Sequence, residues 1–208
     1  MPESNSTVFV IEDDPDFRAS LGLLLRSVGL DARLFESVPD FLKHDRPNGA
    51  SCLVLDVRLP GRSGLEFQRE LRVANIQLPI IFITGHGDIP MTVQAMKGGA
   101  FEFLTKPFRD QDLIDAIQLA LRSDRVQRDD ERSLRAMKQR FEALTPRERE
   151  IMIKVVQGRL GKQIAAELDI TETTVKVHRS NLMRKMNVRG LPELGRVADK
   201  LKLVPETS

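Results

Sequence analysis

The sequence predicts two domains: an α/β domain built on a doubly wound, five-stranded parallel sheet, then a smaller all-α domain. Three observations predict this. Short apolar runs alternate with segments of helical period over the first 120 residues, the pattern of parallel strands joined by crossover helices. A stretch dense in mixed charge, without Gly or Pro, follows from 122 to 140. Beyond it helical segments continue to the end with no strand pattern. The expected boundaries are 1–122 for the α/β domain, 123–142 for a charged, solvated helical linker and 143–208 for the all-α domain.

The candidate strands are residues 8–11, 32–35, 52–56, 80–84 and 101–104. The first, third and fourth are near-continuous apolar runs, as strands covered on both faces require. Between them, Phe17, Leu21, Leu24, Leu25 and Val28 recur at helical spacing, and Gly29 suits the end of that helix. Leu65, Leu71 and Ala74 mark a second helix, and Leu113, Ile117, Ala120 and Leu121 another. Right-handed crossovers place the helices on both faces of the sheet. After the linker, Thr145 can cap a helix with Pro146 at its first position, and Ile151, Met152, Val155 and Val156 supply its apolar side.

Composition narrows the function classes. The chain has 208 residues, 41% hydrophobic and 30% charged, enough to bury a real core. No apolar run approaches the roughly 20 residues that span a bilayer. The first residues lack the basic and apolar regions of a secretory signal, so a cytoplasmic location is expected. The single cysteine, Cys52, excludes an intramolecular disulfide and a multi-cysteine zinc site; in the run Cys52-Leu53-Val54-Leu55 it is expected to be a small core residue. The net charge of +2 hides an asymmetry: residues 143–208 carry 13 Lys/Arg against 8 Asp/Glu, and residues 1–142 carry 19 against 22. A basic second half makes nucleic acid a candidate partner for it.

Functional groups of a parallel sheet collect beyond the carboxyl ends of its strands. The first candidate strand ends in Glu12-Asp13-Asp14, the third at Asp56, the fourth at Thr84-Gly85, and the fifth runs into Thr105-Lys106-Pro107. Taken singly, each acid is as well explained as a helix cap, Asp14 or Asp16 before the helix near Pro15 for instance. Taken together, carboxylates, a hydroxyl and an ammonium at four strand ends point to chemistry. Clustered carboxylates need a cation, and Mg²⁺ suits an oxygen-only site. Ionised Asp56 can act as a nucleophile towards phosphorus, with Mg²⁺, Lys106 and the Thr84 hydroxyl neutralising and orienting the phosphoryl oxygens.

The segments Ile11-Glu12-Asp13-Asp14, Leu55-Asp56-Val57-Arg58-Leu59-Pro60-Gly61, Ile83-Thr84-Gly85-His86-Gly87-Asp88 and Leu104-Thr105-Lys106-Pro107-Phe108 resemble the signature segments of response-regulator receiver domains, in order and across the whole first half. The run from Thr84 to Pro90 resembles FixJ and its relatives, including the StyR-like regulators of styrene catabolism. The resemblance implies a flavodoxin-like fold with Asp56 as phosphoacceptor. It implies Mg²⁺ bound by Asp13, Asp56 and the Arg58 carbonyl, with Glu12 holding a metal-bound water. Thr84 and Lys106 would contact the phosphoryl group, Phe103 would be the aromatic that repositions on activation, and the Lys106–Pro107 bond would be cis. Glu12 stands where many receivers carry Asp. His86 and His44 receive no catalytic or ligand role.

In the second half, residues 161–176 suggest helix, tight turn, helix. Ile164, Ala165 and Leu168 share one apolar face, and Thr171 can cap a second helix over about 172–186. On that helix Val175, Leu182 and Met186 fall on the buried side, with Thr173, Lys176, Val177, Ser180 and Arg184 opposite. No Asp or Glu occurs from Thr173 to Pro192, while Lys176, Arg179, Arg184, Lys185 and Arg189 do. Such a helix suits a major groove. Leu144-Thr145-Pro146-Arg147-Glu148-Arg149-Glu150 and Thr174-Val175-Lys176-Val177-His178-Arg179, followed by Lys185-Met186-Asn187-Val188, resemble the LuxR-type helix-turn-helix, with Gly161 in place of the usual Asn. The candidate DNA contacts are Lys162, Thr173, Lys176, Val177, Arg179, Ser180 and Arg184.

The whole is identified as resembling a two-component response regulator of the FixJ/NarL type and not an enzyme. The resemblance implies a sensor histidine kinase, double-stranded DNA and RNA polymerase as partners, a homodimer once phosphorylated, and no membrane. Two other readings stand beside it. A Mg²⁺-dependent aspartyl-phosphate phosphatase needs a second acid two residues after its nucleophile, where this chain has Arg58. A constitutive DNA-binding regulator with an unphosphorylated receiver leaves the acidic set without a use.

Overall fold

The structure is a computed structural model that describes residues 6–45, 49–85 and 89–203. Two compact units divide the chain, residues 1–128 and 129–208. His86 lies outside the described residues.

In the first unit five strands form one parallel sheet: β1 (Thr7–Ile11), β2 (Asp31–Phe35), β3 (Ser51–Asp56), β4 (Ile80–Thr84) and β5 (Glu102–Thr105). Their order is β2-β1-β3-β4-β5. Every residue of β1, β3 and β4 is buried, which is why those segments are apolar without alternation. Side chains of period two then divide between two cores. Phe9, Ile11, Leu53, Leu55, Ile80 and Phe82 face α2 (Val38–Leu42), α3 (Gly64–Val73) and α4 (Ile89–Lys97). Val8, Val10, Cys52, Val54, Ile81 and Ile83 face α1 (Pro15–Ser27) and α5 (Asp110–Glu142). Cys52 is fully buried, and burial pushes its thiol far above the ordinary range, so it acts as a packing residue.

Local chemistry sets the helix ends. Asp14 caps α1 by accepting from the Asp16 and Phe17 amides at 2.9 and 3.1 Å, with Pro15 at the first position. Gly29, at φ 76°, follows that helix in the left-handed region that glycine enters freely. Ser63 and Glu66 form a reciprocal capping box at the start of α3. The first helical residue there is Gly64 because β3 passes close behind it. A Cβ at that position would stand 2.5 Å from the Asp56 carbonyl oxygen and 3.2 Å from both the Leu55 and Phe82 side chains.

One stretch departs from the solvated character that its composition suggests. Asp124 is 2% exposed. Its Oδ2 accepts from the Ser51 backbone N–H at 2.8 Å and from Arg128 Nε at 2.5 Å, and Arg128 Nη2 also donates to the Ser51 hydroxyl at 3.1 Å. The start of the charge-rich stretch is thus fastened to the amino end of β3. Mixed charge along a helix gives no sequence signal for which acid will be buried.

The second unit packs α6 (Pro146–Val156), α7 (Gly161–Leu168), α8 (Glu172–Met186) and α9 (Leu191–Lys200) around Ile151, Met152, Ile164, Val175, Leu182, Met186 and Leu194. Thr145 and Glu148 cap α6 reciprocally. The Glu148 carboxylate, buried, also receives Lys185 Nζ at 2.7 Å, which ties the start of α6 to the end of α8. Met137 and Phe141, near the end of α5, pack on this same core. Among the described residues, no helix is long and apolar enough to cross a membrane.

Two expectations follow for stability. Gly64→Ala should lower the urea midpoint, by about 1–3 kcal/mol in free energy, because the methyl overpacks against strand backbone that has no room to move. The second concerns Glu148. Burial alone would push its carboxyl up, but hydrogen bonds from Lys185 and Thr145 outweigh burial and hold it below the ordinary glutamate range. A depressed folded value means stability that is complete above the unfolded value and lost as pH falls through the folded one, so the loss belongs on the acid side, below the ordinary glutamate range. Glu148→Gln should flatten that part of the acid dependence relative to wild type; identical slopes would rule the pair out as a contributor.

Candidate functional site

The strand order reverses direction between β1 and β3, and in an open parallel sheet the crevice at such a switch point is where ligands bind. Glu12 and Asp13 follow β1, and Asp56 ends β3, its parallel neighbour. One carboxylate oxygen from each of Glu12, Asp13 and Asp56 lies within 4.8 Å of the others. Glu12 is 1% exposed and Asp56 6%, whereas Asp13 is half-buried. Lys106, just past β5, answers them: its Nζ donates to Glu12 Oε2 at 2.7 Å and to Asp56 Oδ2 at 2.8 Å. Its backbone N–H is fixed by the Thr84 carbonyl at 2.7 Å, and the Lys106–Pro107 bond is cis.

The electrostatics follow from burial and neighbours. Burial pushes the Glu12 carboxyl up and the Asp56 charge adds to this, while the Lys106 hydrogen bond pulls the other way; the net direction is upward. Burial works against the charge of Lys106, but its bonds to Asp56 and Glu12 outweigh burial and raise its value. The two Asp56 oxygens have different partners. Oδ2 faces Lys106, and Oδ1 accepts the Arg58 backbone N–H at 2.8 Å.

Thr84 is fully buried at the end of β4, beside Thr105 in register. Phe103 is not among the carboxylates; it is half-buried one strand beyond, its ring 6.3 Å from that of Phe82. The Arg58 side chain is exposed. His44 is exposed too, its ring edge against Phe35 at 5.2 Å. Two further residues of α1 join the site without being candidates for it in the sequence. Arg18 Nη1 donates to the Glu12 and Asp13 carbonyls at 2.6 and 3.1 Å, fixing the acidic loop from α1. The ring of Phe17, one residue earlier, has its centroid 4.1 Å from Lys106 Nζ. Helical spacing marks Phe17 as apolar-face residue and gives no hint that its ring meets a cation.

In the second unit, α7 and α8 are separated by a tight turn. Asp169 closes α7 with φ at 52°, and Thr171 caps α8 by accepting from the Thr174 amide at 3.1 Å. With Gly161 opening α7, no side chain caps from the usual place; Gln163 Oε1 instead reaches back to the Leu160 N–H at 2.8 Å. Val175, Leu182 and Met186 are buried. Lys162, Thr173, Lys176, Val177, Ser180 and Arg184 are exposed and Arg179 half-buried. Lys185, on the same acid-free run, belongs to a different role: it is held by Glu148. Arg147 Nη2 donates to the Leu168 carbonyl at 2.8 Å, so a residue of α6 supports the end of α7.

Comparison with known proteins places these features. Residues 8–118 match the family described as the response regulator receiver domain, and residues 142–198 match the luxR family of bacterial regulatory proteins. The chain is 52% identical to nodulation protein W of Bradyrhizobium diazoefficiens, over 95% of this chain and 87% of that protein. It is 45% identical to response regulator protein TodT of Pseudomonas putida, over 97% of this chain and 89% of that one. Among solved structures, response regulator StyR is similar at 47% identity and a TM-score of 0.87, covering 95% of this chain and all of that one. Receiver domains bind Mg²⁺ at an acidic pocket, and proteins of this composition are transcriptional regulators of two-component systems. The chain belongs to this family: it is a response regulator that joins a receiver domain to a LuxR-type DNA-binding domain.

Proposed function

We propose that Asp56 accepts a phosphoryl group from a sensor histidine kinase and that this modification governs DNA binding by the second unit. The observation that carries the reading is the ammonium of Lys106 bonded to both buried carboxylates, Asp56 and Glu12, with half-buried Asp13 completing the triad. Asp56 Oδ2 or Oδ1 attacks phosphorus as the bond from phosphorus to the donor's nitrogen or oxygen breaks, and that electron pair leaves with the donor. Lys106 then moves its charge from the carboxylate to the new phosphoryl oxygens, with the Thr84 hydroxyl as a second partner. The Arg58 N–H keeps the carboxylate oriented meanwhile.

The donor set fits Mg²⁺: three carboxylates, all oxygen, with neither nitrogen nor sulfur in the cluster. Asp13, Asp56 and the Arg58 carbonyl would hold it, with Glu12 at one remove. Bound there, it supplies charge neutralisation for the transferring oxygens. A phosphatase is less well supported, because the second position after Asp56 is the basic, exposed Arg58. We infer a transcription regulator acting in the cytoplasm rather than an enzyme, a reading supported by the two matched families.

The proposed functional segments are a receiver over 1–122, a helical linker over 123–142 and a DNA-binding domain over 143–208; the matched ranges support this division. Phosphorylation is expected to favour a homodimer through residues 91–97, 112–121 and the strand between. Exposed Val93 and Met96 on α4 support that surface. Thr84 and Phe103 lie on the strands that connect it to Asp56. RNA polymerase is the further partner expected of a transcription regulator.

In α8, Lys176, Val177, Ser180 and Arg184 are assigned to the major groove, with Thr173 and Arg179 of the same helix and Lys162 of α7 at the groove's edges. Val177, having no hydrogen-bonding group, can meet a thymine methyl.

Intact-mass analysis after incubation with acetyl phosphate and Mg²⁺ should show one phosphate that vanishes in Asp56→Asn; labelling that persists in the variant sinks the assignment. Lys176→Ala should weaken operator binding by about 1–3 kcal/mol if it reads a base, or flatten the salt slope by about one if it meets phosphate. Val175→Ala should instead destabilise the fold by about 2 kcal/mol, because its side chain is fully buried. Unchanged operator binding by Lys176→Ala at every salt concentration would remove α8 from the groove.

A further inference from the structure

Among the described residues, the ammonium of Lys106 has two anionic partners and an uncharged aromatic ring beside it. Glu12 and Asp56 hold it by hydrogen bonds, and the face of Phe17 stands 4.1 Å away. Phe17 lies in the first turn of α1, where its amide is bonded to Asp14, so the loop that carries Glu12 and Asp13 also places the ring. On its other flank, Phe108 packs edge-on at 6.2 Å and 75°. Phe108 is two residues beyond Lys106, so the ring joins the loop after β1 to the loop after β5. Phe17 is half-buried and packs at the margin of the core beneath α1 and α5, where one face of its ring meets the ammonium.

We propose that Phe17 is a positioning residue for Lys106, its ring holding the ammonium over the acidic pocket while the carboxylates change partners. The reason is competition. Each carboxylate that holds Lys106 is assigned a second task, as metal ligand or as nucleophile, and its hold on the ammonium weakens when it turns to that task. The aromatic face takes part in neither task, so its attraction for the cation persists through the transfer. Cation–π contacts gain strength when desolvated, and the Lys106 side chain is 20% exposed. Without the ring, a strongly hydrated charge on a flexible stem is drawn to water just when the phosphoryl oxygens need it. This inference rests on Asp56 being the phosphoacceptor.

The test uses the full-length protein, Mg²⁺ and acetyl phosphate, a donor too small to sense any change in a protein-docking surface. Phe17→Leu and pentafluorophenylalanine placed at position 17 should each slow phosphorylation about threefold to tenfold, the range expected from losing a partly desolvated cation–π contact. The fluorinated ring has nearly the same shape with its quadrupole reversed, so it carries the test even if Phe17→Leu fails to fold. Phe17→Trp should restore or exceed the wild-type rate. The chain contains no Trp or Tyr, so that indole is a sole reporter whose emission should change when acetyl phosphate is added. On a Lys106→Met background, the fluorinated ring should change nothing further. Wild-type rates with the fluorinated ring, or equal losses with and without Lys106, would falsify the assignment and leave Phe17 a packing residue. If the wild type itself takes no phosphate, the phosphoacceptor reading fails and this inference falls with it.

Discussion

Like charges a few ångströms apart cost roughly 1 kcal/mol per pair even in water, and more where the surroundings are less polar. The three carboxylates at the carboxyl end of the sheet are therefore a standing cost to the fold, and Lys106 is what makes them tolerable. Its ammonium comes from the opposite side of β3, across two strands of the sheet. Nearly every local feature around the site serves that meeting. Arg18 pins the loop after β1, the Thr84 carbonyl pins the backbone of Lys106, and Gly64 lets β3 and α3 approach closely enough for Asp56 to sit at the crevice.

The fold was legible because its strongest signals are local. Strands buried on both faces need unbroken apolar runs, and β1, β3 and β4 carry them. The convergence of Glu12, Asp13, Asp56 and Lys106 was also legible, since a parallel sheet sends every strand's carboxyl end to one side. What the sequence could not reveal were contacts that depend on rotamer and register. Phe17 under Lys106, Arg18 on two carbonyls and Asp124 on a strand amide all join residues that no spacing rule connects.

The basic run of the second unit makes the same point in charge. From sequence, Lys176, Arg179, Arg184, Lys185 and Arg189 form one cationic set, yet Lys185 is bound to buried Glu148. Counting cations along a helix overstates the charge offered to a partner, because some of it closes the domain's own core. Only the placement of Glu148, set by a capping box on another helix, separates the two uses.

Asp124 has a consequence for anyone recombining such modules. Its carboxylate satisfies the Ser51 amide at the start of the very strand that ends in Asp56, with Arg128 closing the bond from outside. A receiver excised at the end of its apolar helix pattern, near residue 122, would leave that amide buried and unpaired, a penalty of about 1–3 kcal/mol. The seam for grafting this receiver onto a foreign output module therefore belongs after Arg128, where the helix has paid its last debt to the sheet.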